Sequence, residues 1–182
     1  MASLRKVVHI AGVLFVPIAL YHPFLAVGLS LLGIIAFFLV DAVKARLDIR
    51  IVGLFYREGE MSGTALEPLA YLVSIAILLT LSLVYMPMAC YVAIIVLTLG
   101  DGISSLAGKT IGGPRLAFSE KTWSGTLGGF AVCAIAGFLV AGPGAIAGAA
   151  GGMIAEAYSG RADNFLTAVA AFLCMMLVSF LT

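Results

Sequence analysis

The chain has 182 residues, of which 63% are hydrophobic and only 10% charged, with a formal net charge of +1. Soluble domains carry about 25% charged residues, so the composition excludes an ordinary soluble globular protein. The balanced charge excludes nucleic-acid recognition, which needs a basic footprint.

A membrane-crossing helix needs about 20 mostly apolar residues. Arg5 and Lys6 precede the first apolar run, Val7 to Tyr21, as in a signal peptide. No small-residue cleavage pattern follows, so this run is expected to stay as a first span. Further spans are predicted from Phe24 to Val43, Leu69 to Tyr85, Met88 to Leu99, Gly125 to Ala141, Gly144 to Ala157 and Phe165 to Leu181. The alternating polarity of a closed barrel is absent, so the expected fold is all-α. It is a polytopic membrane helix bundle of about seven transmembrane helices, one integral membrane domain over residues 1–182. The fourth and sixth spans are short and end at Asp101 and Glu156, and each is expected to stop or unwind around a site.

With seven spans, every Lys, Arg, Asp and Glu falls on the side of the N-terminus. The other side keeps only turns at His22-Pro23, Met86-Pro87 and Gly142-Pro143. Basic residues mark the cytoplasmic face, so the N-terminus is expected in the cytoplasm and the C-terminus outside. The localisation that follows is a multi-pass integral membrane protein, of the cell membrane if the chain is prokaryotic. Between Val43 and Met61, apolar residues alternate with Lys44, Arg46, Arg50 and Arg57, which predicts an interfacial amphipathic helix anchored among the headgroups. Cys90, Cys133 and Cys174 sit alone in apolar runs and read as buried thiols, not as disulfides or zinc ligands.

The stretch from Gly100 to Arg115, followed by Glu120 to Gly129, sets glycines beside lysines, as a backbone that must approach something closely would need. It is expected to be a polyphosphate-handling loop. Gly108-Lys109-Thr110 is like the end of a P-loop, but the glycine spacing is one residue too long and no buried strand precedes it, so that motif is rejected. Turns rich in glycine, with lysine point charges, still hold phosphates through backbone N–H groups. Lys109 and Lys121 are the candidates, with Arg115 a third. The plainer alternative makes all three anchors at the positive-inside face. Thr122 or Ser124 caps the fifth helix, whose first turn then offers N–H donors to an anion. Gly125, Gly128 and Gly129 keep that end slim, for a ligand or for a neighbouring helix.

Gly144, Gly148, Gly152 and Glu156 recur every four residues, a small-residue packing stripe that turns Glu156 into the bundle, where it needs a lysine or a metal as partner. Asp163 begins the last helix, as an N-cap or as part of a site. Asp101, Glu156 and Asp163 together, near two lysines, would suit Mg²⁺ with a nucleotide polyphosphate.

These residues resemble a family, the CTP-dependent lipid-alcohol kinases that include dolichol kinase, phytol kinase and the yeast-type diacylglycerol kinase. The likeness runs in order along nearly the whole chain. It starts at Arg5-Lys6-Val-Val-His9, continues through Gly100-Asp101, Gly108-Lys109, Gly112 and Lys121-Thr122-Trp-Ser-Gly125, and ends at Glu156-x-x-Ser159 and Asp163-Asn164. The middle block is its specific part, and the size is that of prokaryotic members. The resemblance implies a cytoplasm-facing catalytic domain that uses CTP to phosphorylate a long-chain alcohol of dolichol, polyprenol, phytol or geranylgeraniol type. It carries over Asp101, Lys109, Lys121, Glu156 and Asp163 as functional residues.

The expected mechanism is γ-phosphoryl transfer, which needs mainly positioning and charge neutralisation. Asp101 would hold Mg²⁺ or take the hydroxyl proton, and Lys109 and Lys121 would face the β- and γ-phosphates. Glu156 and Asp163 would complete the metal site or position the hydroxyl. Gly112, Arg115, Thr122, Ser124 and Gly125 would complete the nucleotide contacts. The expected partners are CTP, a lipid alcohol and membrane lipids, with self-association left open. Two other readings compete: a cytidylyltransferase joining CTP to a lipid phosphate, and a small non-enzymatic transporter. The aspartate-rich C-terminal signature of phosphatidate cytidylyltransferases is missing. Charge confined to one face speaks against a transport pathway.

Overall fold

A computed structural model describes residues 4–44, 65–159 and 163–181. Among them the secondary structure is helical throughout, apart from a single bridge between Arg115 and Thr122. The helices are α1 (Leu4–Ala11), α2 (Phe15–Tyr21), α3 (Pro23–Val43), α4 (Leu66–Ser82) and α5 (Pro87–Ile95). They continue as α6 (Asp101–Thr110), α7 (Trp123–Ala141), α8 (Ala145–Tyr158) and α9 (Asp163–Leu181). A π-helical segment, Val96–Gly100, joins α5 to α6, so Pro87–Thr110 is one continuous rod of 24 residues.

Among the described residues, four helices are long and apolar enough to cross a membrane: Pro23–Val43, Pro87–Thr110, Trp123–Ala141 and Asn164–Leu181. Lys6–Tyr21 and Leu66–Ser82 are shorter apolar helices, and α8 has 14 residues. Their outer faces carry exposed Leu31, Leu32, Ile35, Leu139, Leu177 and Phe180, a surface that water would not tolerate at this extent.

The turns follow from local chemistry. Pro23 and Pro87 each occupy the start of a helix, where a missing N–H costs nothing and φ is already set. Gly142 ends α7 at φ 72°, its N–H still bonded to Phe138 O at 2.9 Å, a positive-φ conformation that glycine adopts without strain.

The α5 rod is the centre of the bundle, with every residue from Ala89 to Leu97 buried. α8 reaches it through small residues. A Cβ on Gly152 would meet Val96 and lie 3.0 Å from Ala171 Cβ, and one on Gly148 would lie 2.7 Å from Met175 Cγ and 2.9 Å from Val92 Cγ1. The Gly144-Gly148-Gly152 stripe is therefore a packing face against α5 and α9, and it delivers Glu156 into the interior as expected.

Two expectations change. The fourth span does not stop at Leu99, and the expected glycine-rich loop is helical from Asp101 to Thr110. The rod continues because its glycines serve packing. Gly102 is seated against Ile10 of α1, and Gly108 would bring a Cβ within 2.8 Å of Thr122 Oγ1. The rod does not unwind at Asp101, where a π-helical segment passes directly into α6, and α8 likewise runs past Glu156 to Tyr158. The amphipathic segment from Val43 to Met61 lies mostly outside the described residues. Its first basic residue, Lys44, is buried and bonded to Asp41 at 2.7 Å, because α3 extends to Val43 and draws it inside.

Candidate functional site

The start of α7, the end of α8 and the middle of the Pro87–Thr110 rod meet around one ammonium. Lys121 Nζ lies 2.5 Å from Glu156 Oε1 and 3.7 Å from Asp101 Oδ1. Ser104 Oγ donates to the same Glu156 oxygen at 2.8 Å. Ser104 follows Asp101 by three residues, hence one helical turn along the same face of α6. Glu156 is 1% exposed, whereas the Lys121 and Asp101 side chains are 30% and 34% exposed. The Lys121–Glu156 pair is therefore anchored in the protein and presents its cation outward. The second pair is worth little by itself, since half-exposed ion pairs contribute about 0–1 kcal/mol. The buried one matters more, because removing the lysine strands a carboxylate whose Oε2 has no hydrogen-bond partner among the described residues.

The backbone around Asp101 is unusual. π-helical turns are rare and concentrate at functional sites, and this one ends at Gly100. Wider winding releases carbonyls from the regular ladder, and the His9 Nε2 contact with Leu97 O at 3.2 Å fills one such place. Gly100 itself packs against Met153 and Cys133, with Met153 Sδ only 2.8 Å from an added Cβ.

The segment from 111 to 122 forms the roof. Gly112 and Gly113 have φ 67° and 113°, and an added Cβ at either would meet nothing within 4 Å. They are the glycines of the stretch with room for a ligand beside the backbone. Ser124 Oγ donates to Gly112 O, Leu116 N to Lys121 O at 2.9 Å, and Trp123 N to Pro114 O at 3.1 Å. Ser119 Oγ holds Ala157 O at 2.5 Å and accepts from Lys121 N at 3.1 Å. These bonds fix the lysine's backbone over the end of α8.

Thr122 is the cap of α7, its hydroxyl accepting from Gly125 N at 3.2 Å. With Trp123 N also engaged, that terminus is capped internally and offers an anion less than its sequence implied. Gly125, Gly128 and Gly129 serve helix contact. Added Cβ atoms there would lie 2.6 Å from Ser104 O, 2.9 Å from Ala107 Cβ and 2.6 Å from Met153 Cε.

Lys109 and Arg115 stay outside the cluster. Both are exposed, and Lys109 is two helical turns beyond Asp101, about 12 Å along the axis. Asp163 starts α9, but its side chain lies outside the described residues. Among the described residues, no group of three His, Cys, Asp or Glu side chains could hold a metal ion. Asp101 and Glu156, two of the three carboxylates that sequence grouped as metal ligands, are brought together by Lys121. Asp101 has the exposure to meet a hydrated Mg²⁺ bound to polyphosphate, an ion that takes one or two carboxylates plus phosphate oxygens. Glu156 is sealed beneath the lysine.

Sequence reading missed Ser104 and Ser119 as parts of this framework, and met His9 only in the N-terminal Arg5-Lys6-Val-Val-His9 likeness. Ser104 carried a signal, a hydroxyl one turn after Asp101. The Ser119-x-Lys121 turn and the His9–Leu97 contact depend on tertiary packing and left none. A scan of protein-family models, curated proteins and solved structures finds no match to this chain.

Proposed function

We propose that this chain is a CTP-dependent kinase of a membrane-embedded isoprenoid alcohol. In this reading seven helices cross the bilayer, the N-terminus is cytoplasmic and the site faces the cytoplasm. The observation that carries it is the half-exposed Lys121 ammonium, held by a buried Glu156 beside the half-exposed Asp101, in the same 111–122 segment as the open Gly112 and Gly113. A cation fixed before any ligand arrives is what phosphoryl transfer requires, because the chemistry is mostly positioning and charge neutralisation. The family resemblance supplies the nucleotide and the alcohol.

The charged ends support the orientation. Asp41, Glu67, Lys109, Lys121 and Glu156 lie at or near helix ends that an up-and-down path puts on one side, with Asp101 two turns inward of Lys109 on the Pro87–Thr110 rod. Asn164 Nδ2 also bonds Glu67 O at 3.4 Å, joining two of those ends. By the positive-inside tendency, the basic residues on this face support a cytoplasmic site.

In the reaction, the alcohol oxygen bonds to the γ-phosphorus and the bond from that phosphorus to the β,γ-bridging oxygen breaks, releasing CDP. Lys121 neutralises charge on the transferring group, and Asp101 accepts the hydroxyl proton or contacts the metal. Mg²⁺, when bound with the nucleotide, would neutralise charge on the β- and γ-phosphates. Glu156 and Ser104 keep the lysine in place, and Lys109 and Arg115 form an outer basic rim that draws the nucleotide in. The test is product identity. Purified protein with Mg²⁺, labelled CTP and a panel of prenyl alcohols should yield lipid phosphate and CDP. Pyrophosphate release with a lipid phosphate as co-substrate would make it a cytidylyltransferase instead.

A further inference from the structure

Phe118 combines two features that seldom occur together. Its φ is 59°, in the left-handed region, where a bulky side chain is a genuine outlier. Its side chain is also fully exposed, at 103%, so no packing inside the protein offsets that strain. Single exposed apolar residues are ordinary on a surface. A strained one without packing points to contact with something outside the chain.

The turn itself is fixed from below. Ser119 N bonds Leu116 O at 3.3 Å, which puts Phe118 at the third position of a four-residue turn. Leu116 is buried, and Ser119 Oγ is seated on Ala157 O at the end of α8. The neighbours of Phe118 therefore hold it outward at a set height, that of the last turn of α8.

Other aromatic side chains stand at that height. Tyr158 is the last residue of α8, Trp123 the first of α7 and Phe165 the third of α9, and all three are half-exposed. The Lys121–Glu156 contact sets the start of α7 beside the end of α8, and α9 starts on the same side after a short connection. Tyr21, Phe24 and Tyr85, also exposed, mark the opposite helix ends. α7 has 19 residues and so spans about 28 Å, close to the roughly 30 Å of a bilayer's hydrocarbon core. Aromatic rings gather at both edges of that core.

We propose that the 111–122 segment is a membrane-interface anchor, with Phe118 inserted among the lipid headgroups at the level of Trp123, Tyr158 and Phe165. Lys109 and Arg115, both exposed at this end of the fold, suit anionic headgroups, and Glu120 is the acid beside them. Lys121 follows Phe118 by three residues, so its backbone is tied to α8 through Ser119 and to the bilayer through Phe118. The anchor rests on the membrane reading and holds whether or not the chain transfers phosphate.

The test uses full-length protein in nanodiscs. Trp123 is the chain's only tryptophan, so the wild type reports the aromatic belt and a Phe118→Trp, Trp123→Phe protein reports position 118. Emission is compared in lipids brominated near the headgroup end of the acyl chain, in lipids brominated near its methyl end, and with aqueous iodide. The ring at 118 should lose as much emission to the shallow bromine as Trp123 does, lose less to the deep one, and be shielded from iodide. Iodide quenching equal to that of free tryptophan, with no bromine quenching, would place the ring in water and overturn the anchor. Shielding from both quenchers would mean that protein covers it, a second copy included, and would overturn it equally. A wild-type Trp123 untouched by bromine at either depth would remove the belt, and the anchor with it. If tryptophan at 118 impairs folding, Phe118→Cys carrying a bimane label, in a Trp123→Phe, Cys174→Ser background, gives the same readout.

Discussion

Lys121 Nζ sits 2.5 Å from Glu156 Oε1, yet the carboxylate is 1% exposed and the lysine side chain 30%. One partner is interior and the other reaches the surface, so the pair sets a cation at a fixed place and leaves part of it open. Two long, exposed side chains would have had to surrender rotamer freedom for a contact worth a fraction of a kcal/mol. Here the acid is held by Ser104 and by its helix, and the lysine backbone is held by Ser119.

A double-mutant cycle measures that arrangement without reference to activity. Lys121→Ala should lower stability by roughly 3–5 kcal/mol, because it leaves a buried carboxylate unpaired. Adding Glu156→Gln should restore part of the loss, with a coupling of roughly 1–3 kcal/mol. The readout is detergent-solubilised thermal or denaturant unfolding of the four proteins. Additive effects would mean that the two side chains act independently.

Gly125 is where α7 rests on α6, with Ser104 O only 2.6 Å from the position of an added Cβ. A backbone oxygen cannot move as a side-chain tip can, so Gly125→Ala should separate the two helices. The expected loss is about 1–3 kcal/mol of stability, together with a fall in transfer activity as Ser104 leaves Glu156. Gly28→Ala is the matching control, since nothing lies within 4 Å of that site. Equal melting temperatures for the two variants would contradict the packing account.

Much of this was legible in the sequence because hydropathy and punctuation act locally. Helices occupy each of the predicted apolar runs, and the prolines at 23 and 87 mark helix starts. The four-residue glycine stripe correctly turned Glu156 inward. What failed was the state of the Gly100–Arg115 stretch. Glycine in sequence signals either a loop or a close helix contact, and only the neighbours Ile10 and Thr122 decide between them. The grouping of Asp101, Glu156 and Asp163 ran into a similar limit. Spacing put acids near one face but could not foretell that a lysine from the segment before α7 would stand between two of them.

Orientation is testable with two engineered cysteines. Glu120 lies in the exposed roof and Val84 in the turn before α5, also exposed. In a Cys174→Ser background, with Cys90 and Cys133 buried, Val84→Cys should react with an impermeant maleimide on intact cells. Glu120→Cys should react only after permeabilisation. The reverse pattern would put the Lys121 site outside and cut it off from cytoplasmic nucleotide.

The most direct measurement is the transfer of label from γ-³²P-CTP into the lipid fraction, comparing wild type with Lys121→Ala and Asp101→Asn. The account predicts Mg²⁺-dependent labelling of an added prenyl alcohol by the wild-type protein. In Lys121→Ala, kcat/KM should fall by about 30- to 1,000-fold, corresponding to the 2–4 kcal/mol carried by a charged contact to the transferring group. Asp101→Asn should remain folded and lose transfer to a similar degree. Absence of label in lipid for every alcohol tried, or undiminished transfer by a folded Lys121→Ala protein, would contradict it.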